Sequence, residues 1–262
     1  MPRAQAPQGP TAAVPAAAST LVRGLSVLEL VAAAGDGIGV TDVAAKVGTD
    51  KSTASRLLAT MRELGYVQQR ARDRRYVLGS RCLWLAQAYR ADHEDLVGLA
   101  RPQLMGLRDA TGETVYLAVR EGVHVVYVAQ EQSGQTVTVQ SVIGTRTPLQ
   151  RTAMGRAILA TMGEADRDRL LDQIRANAAV SHAALDLEEV RADVRQARIR
   201  GWAAVDRHDD VTRLAAAITD PRGEPIAAIT LAGPSFRVDP RVDELGAAVA
   251  RVAGEVSGAL SG

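Results

Sequence analysis

The sequence predicts an α+β protein of two domains: an N-terminal winged helix-turn-helix, then a linker helix, then a mainly antiparallel sheet with helices packed on it. Three observations carry this prediction. Residues Val40–Tyr66 hold two short helical segments around a glycine, and an arginine-dense, β-rich segment follows directly. From Thr114 onward the apolar residues come in β-rich runs and alternate polar with apolar. The charge is also divided. Residues 1–91 hold twelve Lys+Arg against six Asp+Glu, a net of +6; residues 92–262 hold nineteen against twenty-four, a net of −5; together they give +1. A basic head on an acidic body suits a nucleic-acid-binding domain on a body that does not bind nucleic acid.

The first 20 residues, rich in Ala and Pro, read as a disordered tail; they lack the continuous apolar core of a secretory signal. A helix is expected from Leu21 to Ala34, with Leu25, Leu28, Leu30 and Val31 as its apolar positions, closed by Gly35-Asp36-Gly37. Val40, Val43, Ala44 and Val47 then mark one face of a short helix. Thr41 is its expected N-cap, and Gly48 its left-handed end. Thr49 or Asp50 caps the next helix, whose core positions are Ala54, Leu57, Leu58, Met61 and Leu64. Its other face shows Ser52, Arg56 and Ala59, flanked by Thr53, Ser55 and Thr60. Small polar side chains around one arginine suit close approach to base edges: Arg56 can donate two bonds to guanine, and Lys51 is placed for a phosphate.

Val67–Leu78 has strand-like ends around Arg70, Arg72, Arg74 and Arg75, which is the pattern of a wing that neutralises phosphates. Two amphipathic helices alone are ordinary core packing, and a run of arginines alone is a solvated edge; their order and spacing give them meaning. The expected DNA-contacting set is Thr49, Lys51, Ser52, Thr53, Ser55, Arg56, Arg70, Arg72, Arg74 and Arg75. The winged domain spans residues 21–79. Ser80 opens a linker helix over 80–93, whose Leu83, Trp84, Leu85 and Tyr89 pack on the second domain or on a partner chain.

The second domain spans 94–262. A helix over Asp95–Ala110 is expected to kink or break at Pro102. Thr114–Arg120 and Val123–Gln130 form a hairpin around Glu121-Gly122. Thr136–Ile143 alternates as a strand with Val137, Val139 and Val142 inward. Helices follow at Gly155–Met162, Glu164–Asn177 and Asp186–Gly201. Strands return at Trp202–Asp206, Thr212–Thr219 and Pro225–Leu231, and a helix over Asp239–Leu260 closes the chain. Hairpins among the helices make this an α+β domain.

Other classes find little support. No apolar run is long enough to cross a membrane. Cys82 is the single cysteine, which excludes an intramolecular disulfide and a cysteine metal cluster and fits a cytoplasmic protein. His93, His124, His182 and His208 lack metal-ligand spacing, and no nucleophile elbow, Walker loop or dinucleotide fingerprint occurs. No catalytic residue, metal or cofactor is expected.

Several stretches together resemble the IclR-type bacterial transcriptional regulators: Val22–Ala33, Asp50–Val67, Tyr76–Gly79, Gly112–Val119, Ile143–Ala160 and Asp220–Pro234, in the family's order and spacing. The resemblance implies a GAF-like effector domain and a homodimer or homotetramer on palindromic or repeated double-stranded operators. It also implies control by a small-molecule effector, an organic or aromatic acid, with the protein acting as a repressor or, alternatively, as a ligand-responsive activator. By the same resemblance the effector lies on the sheet against the start of the helix after Pro148-Leu149. Thr152, Ala153, Met154 and Gly155 form one wall, Asp206 adds a polar contact, and Arg213, Ala215, Thr230 and Ala232 form the floor. Backbone N–H groups at a helix start suit a carboxylate. Arg156 stands where the family usually has lysine. Arg213 is either a forked cation for the ligand or the partner of Asp206, Asp209 or Asp210.

Overall fold

The computed structural model describes residues 19–181, 186–206 and 209–261, with backbone only at 19, 177–181 and 206. Residues 1–18 of the expected tail, His182 and His208 lie outside the described residues. The described chain divides between Asp92 and His93 into two units.

In the first unit, α1 (Ser19–Ala33) begins two residues before its expected start. Val27 and Val31 enter the core, whereas Leu25 is exposed. The helix-turn-helix consists of α2 (Val40–Val47) and α3 (Lys51–Glu63). Thr41 is not the cap of α2: Gly39 is, without a side-chain bond, and Val43 N donates to its carbonyl. The reason lies one residue earlier. Ile38 exchanges two backbone bonds with Tyr76, which holds the chain extended up to Gly39 and lets the helix begin at Val40. Gly48 ends α2 at φ 71°, a left-handed conformation that costs glycine least.

Ala54 and Leu58 of α3 are fully buried with Val43, Ala44, Val67 and Tyr76, and Leu57 and Met61 pack partly against them. Leu64, expected in the core, is 60% exposed, because it follows the last turn of α3 and faces outward. The wing is an antiparallel pair, β1 (Val67–Gln69) and β2 (Tyr76–Leu78). The helix α4 (Ser80–Ala91) buries none of its residues.

The second unit opens with α5 (Glu94–Thr111), which runs unbroken through Pro102. A proline there removes one intrahelical bond, but Leu96, Ala100, Leu104 and Leu107 bury one face along both halves, and that burial keeps the helix whole. The strands β3 (Thr114–Glu121) and β4 (His124–Glu131) form the expected hairpin.

No strand covers 136–143. Val137 and Val142 are more than half exposed rather than inward, and only three residues, β5 (Arg146–Pro148), pair with β4. The alternation there is real in the sequence, but the segment takes its bonds from side chains instead of a neighbouring strand. A 3-10 turn (Leu149–Arg151) leads into α6 (Ala153–Thr161), followed by α7 (Glu164–Ser181) and α8 (Leu187–Arg200). Then come β6 (Ala203–Asp206), β7 (Val211–Thr219) and β8 (Pro225–Pro234), the short α9 (Ser235–Val238), a 3-10 turn (Asp239–Arg241) and α10 (Val242–Ala259).

The sheet order is β5-β4-β3-β8-β7-β6, and every neighbouring pair is antiparallel. Its two faces are sorted by alternation along the strands. Leu117, Leu214, Ala216, Ile229 and Leu231 face α5 and α10. Ala118, Val125, Ala215 and Ala228 face α6, α7 and α8. The alanines on this second face let α6 lie close to the strands.

Candidate functional site

The first site is the outer face of α3. Asp50 caps it: Oδ1 accepts from Thr53 N (2.9 Å) and Oδ2 from the Thr53 hydroxyl (2.7 Å). The Thr53 hydroxyl, its backbone N–H and Ser52 together hold the Asp50 carboxyl well below the usual carboxylate range, so it stays charged at the positive end of the helix. Thr53 is therefore occupied by the cap and accepts in turn from Arg56 Nη2 (3.3 Å). Thr49 is half-buried in the turn. Lys51, Ser52, Ser55 and Arg56 are exposed.

The four wing arginines are not equivalent. Arg70 donates to the carbonyl of Asp36 and pairs with Asp73 (2.8 Å), and Arg75 donates to Gly37 O (3.1 Å). Both fasten the wing to the loop between α1 and α2. Arg74 is exposed, and Arg72 is exposed with only a long ion pair to Asp73 (3.7 Å). Asp73 accepts from Arg75 N and lies among the positive charges of Arg70, Arg72 and Arg75, which lowers the pKa of its carboxyl.

The second site is a pocket between α6 and the sheet. It is lined by Thr152, Ala153, Met154, Arg213, Thr230 and Ala232, all expected from the sequence, and by Tyr116, Tyr127, Val139 and Ser141, which were not. Thr152 caps α6 by accepting from Gly155 N (2.9 Å), so that N–H is already spoken for. The N–H groups of Ala153 and Met154 have no acceptor among the described residues and stand at the helix start, where a negative group is favoured.

Gly155 does not line the pocket. It is the contact point between α6 and the preceding turn: a Cβ there would lie 2.0 Å from the Leu149 carbonyl oxygen. Ala215 does not line it either; it lies on the correct face but is fully buried beneath α6, paired with Thr230 and Ala203. The backbone of Asp206 pairs with Thr212, while its side chain lies outside the described residues. Arg213 resolves to its paired alternative: Nη1 and Nη2 donate to the two carboxylate oxygens of Asp209 (3.0 and 2.9 Å), and Nη1 also to Val211 O (3.0 Å).

Tyr116 is buried and donates to Val139 O while accepting from Ser141 N, both at 2.9 Å. Burial pushes its hydroxyl pKa up, so it is a neutral donor. Tyr127 meets it edge-on, with ring centroids 5.3 Å apart. The Thr230 hydroxyl donates to Leu214 O (2.9 Å). Below the pocket wall, Arg156 is buried and bonds Glu189 (3.1 Å), Asp193 and the Gln150 carbonyl, which ties α6 to α8.

The family described as bacterial transcriptional regulator IclR, C-terminal, matches residues 88–258, and the IclR helix-turn-helix domain matches residues 20–71. The transcriptional repressor IclR of Escherichia coli K12 is 30% identical over 99% of this chain and 96% of its own. This chain belongs to the IclR family of transcriptional regulators.

Solved IclR-family structures share its fold. The Thermotoga maritima IclR structure superposes with a TM-score of 0.73 at 22% identity, covering 93% of this chain and 99% of that one. An IclR homologue from Microbacterium hydrocarbonoxydans, complexed with 4-hydroxybenzoate, gives 0.69 at 21% identity over 92% and 98%. As an IclR-type regulator the chain is a DNA-binding protein with a helix-turn-helix domain.

Tyr116, Tyr127, Val139 and Ser141 escaped the sequence reading for a physical reason. The two tyrosines sit inside strand patterns that read as plain core, and the other two come from a segment read as a strand. One signal was available: Tyr116 is a polar-tipped aromatic in an otherwise apolar run, and a buried Tyr hydroxyl needs a partner.

Proposed function

We propose that this protein is a repressor whose operator affinity is set by a small-molecule effector bound between α6 and the sheet. The observation that carries the reading is that one chain combines two different surfaces. The outer face of α3 presents Lys51, Ser52, Ser55 and Arg56 to solvent, and a separate unit gathers buried polar and aromatic groups around two backbone N–H groups that have no acceptor among the described residues. In this reading Arg56 and the serines meet base edges, while Lys51, Arg72 and Arg74 meet phosphates. Thr49, Thr53, Arg70 and Arg75 act by fixing the helix and wing.

The effector is a small organic or aromatic acid or a related polar compound. Its acidic or carbonyl oxygen meets Ala153 N and Met154 N, and its body lies against Tyr116, Tyr127 and Met154. The protein is a homodimer or a higher oligomer on a palindromic or repeated operator. Leu83, Trp84, Leu85 and Tyr89 of α4 are exposed on a helix that buries nothing, and a cluster of exposed large apolar side chains of that kind marks an association surface. It acts in the cytoplasm and has no catalytic role. Residues 21–79 bind DNA, 80–93 link, and 94–262 sense.

The test is a fluorescence-anisotropy titration of the purified protein on the duplex upstream of its own gene and on a scrambled duplex of equal length, each at two salt concentrations. Tighter binding to the native duplex, weakened by salt, is expected. Equal affinity for both duplexes contradicts the proposal.

A further inference from the structure

The pocket is small: its cavity volume is about 10 Å³, room for at most a single water. An organic effector needs far more space, so one wall must move. The strands β3, β7 and β8 and the helix α6 are parts of continuous cores. Tyr127 is held in β4 and Thr152 is buried as the cap of α6, whereas Val139 and Ser141 belong to an irregular segment.

That segment is fastened at both ends. Ser133 N donates to the Thr114 hydroxyl (3.2 Å), and Gly144 N donates to Tyr127 O (2.8 Å). Gln135 N donates to the neighbouring Ser133 hydroxyl (3.1 Å), and two side chains from other elements hold the rest. Arg237, forked onto buried Glu113 (2.6 and 2.8 Å), donates to Val137 O (2.9 Å) from outside the pocket. Tyr116 holds Val139 and Ser141 from inside it. Val137, Val142 and Ile143 are exposed, so apolar burial contributes little to keeping the segment in place, and a few polar contacts set its position.

We propose that residues 134–143 are a lid over this pocket and that the Tyr116 hydroxyl is its latch. The inference rests on the reading of the pocket as the effector site. When the lid lifts, the buried hydroxyl loses both partners, and leaving it unpaired is costly. A ligand that brings a hydrogen-bond acceptor to Tyr116 replaces them. An apolar ligand of the same shape does not, so Tyr116 also sets the polarity of what the pocket accepts.

The test needs no ligand, which separates failure of the lid from failure of the effector reading. Cys82 is the only cysteine. In a Cys82→Ser background, Met154→Cys places a thiol in the pocket, and Ala228→Cys places one under α6 as a control. Each is modified with methyl methanethiosulfonate, with and without Tyr116→Phe. Ala232→Cys replaces Met154→Cys if that variant does not fold. Tyr116→Phe is expected to speed modification of the pocket thiol about tenfold, the effect of losing roughly one or two hydrogen bonds, and to leave the control unchanged. An unchanged pocket rate, or an equal acceleration at both cysteines, overturns the proposal.

Discussion

Asp209 grips the Arg213 guanidinium through both carboxylate oxygens at the edge of the sheet pocket, at 3.0 and 2.9 Å. The pocket's own cation is thus neutralised before any ligand meets it. On the proposed effector reading, a ligand carboxylate has to compete with an intramolecular one, and Arg213 adds less to anion binding than its position suggests.

Removing the Asp209 charge should therefore change which ligands the pocket prefers. With Asp209→Asn, the affinity for a carboxylate probe relative to its neutral amide, benzoate against benzamide, is expected to rise about tenfold, equivalent to about 1.4 kcal/mol. Arg213→Ala should not show this rise. Isothermal titration of the two probes against each variant measures the ratio. A ratio unchanged in Asp209→Asn means that the ion pair does not govern charge preference.

The wing arginines should separate into two classes. Arg72→Ala and Arg74→Ala are expected to reduce the slope of log affinity against log salt by about 0.9 for each phosphate left without its arginine, with no change in melting temperature. Arg75→Ala removes the bond to Gly37 O and should instead destabilise the first unit by about 1 kcal/mol. Salt-dependent anisotropy and thermal melts of the wild type and the three variants distinguish these outcomes; identical behaviour of all three variants would contradict the division.

Gly155→Ala should be costly even though alanine favours helices. The new Cβ would meet the Leu149 carbonyl oxygen, a backbone atom that cannot swing away. Overpacking of this kind costs about 2–3 kcal/mol. Thermal denaturation should show a lowered midpoint, and a stabilised variant would mean that the turn before α6 yields easily.

Protonation of His124 should weaken the second unit. Burial first, then the Arg146 charge, lower its pKa from the ordinary histidine value, and Glu121 offsets them only in part. The unfolded chain then takes up the proton at higher pH than the folded one. Stability from this residue is constant above about pH 7 and is lost as pH falls through about 6.5 toward the folded value. His124→Gln should flatten that slope in melting temperature measured between pH 5 and 8. An unchanged slope assigns the effect to other groups.

The sequence made the helix-turn-helix legible because its information is local. Gly48, Asp50 and the spacing of Ala54 and Leu58 act within a turn or two, and each behaves in the structure as that spacing requires. Six of the nine expected pocket residues also line the pocket. What the sequence hid depends on contacts between distant residues. Thr136–Ile143 has the alternation of a strand, but only three-dimensional pairing decides whether a neighbour is present, and here the Tyr116 hydroxyl and Arg237 take that place. Ala215 and Arg213 share a strand face two residues apart. One is covered by α6 and the other reaches the pocket edge, a difference set by where the helix ends rather than by alternation. The inequality of the wing arginines likewise depends on carbonyls 34 and 38 residues away.

The exposed face of α3 is proposed to read DNA. The most direct test is the affinity of wild-type protein and of Arg56→Ala for a duplex selected from random sequence by the wild type, against a scrambled duplex. Arg56→Ala should lose about 1–3 kcal/mol on the selected duplex and little on the scrambled one. If the variant binds both as the wild type does, the recognition face has been assigned to the wrong surface.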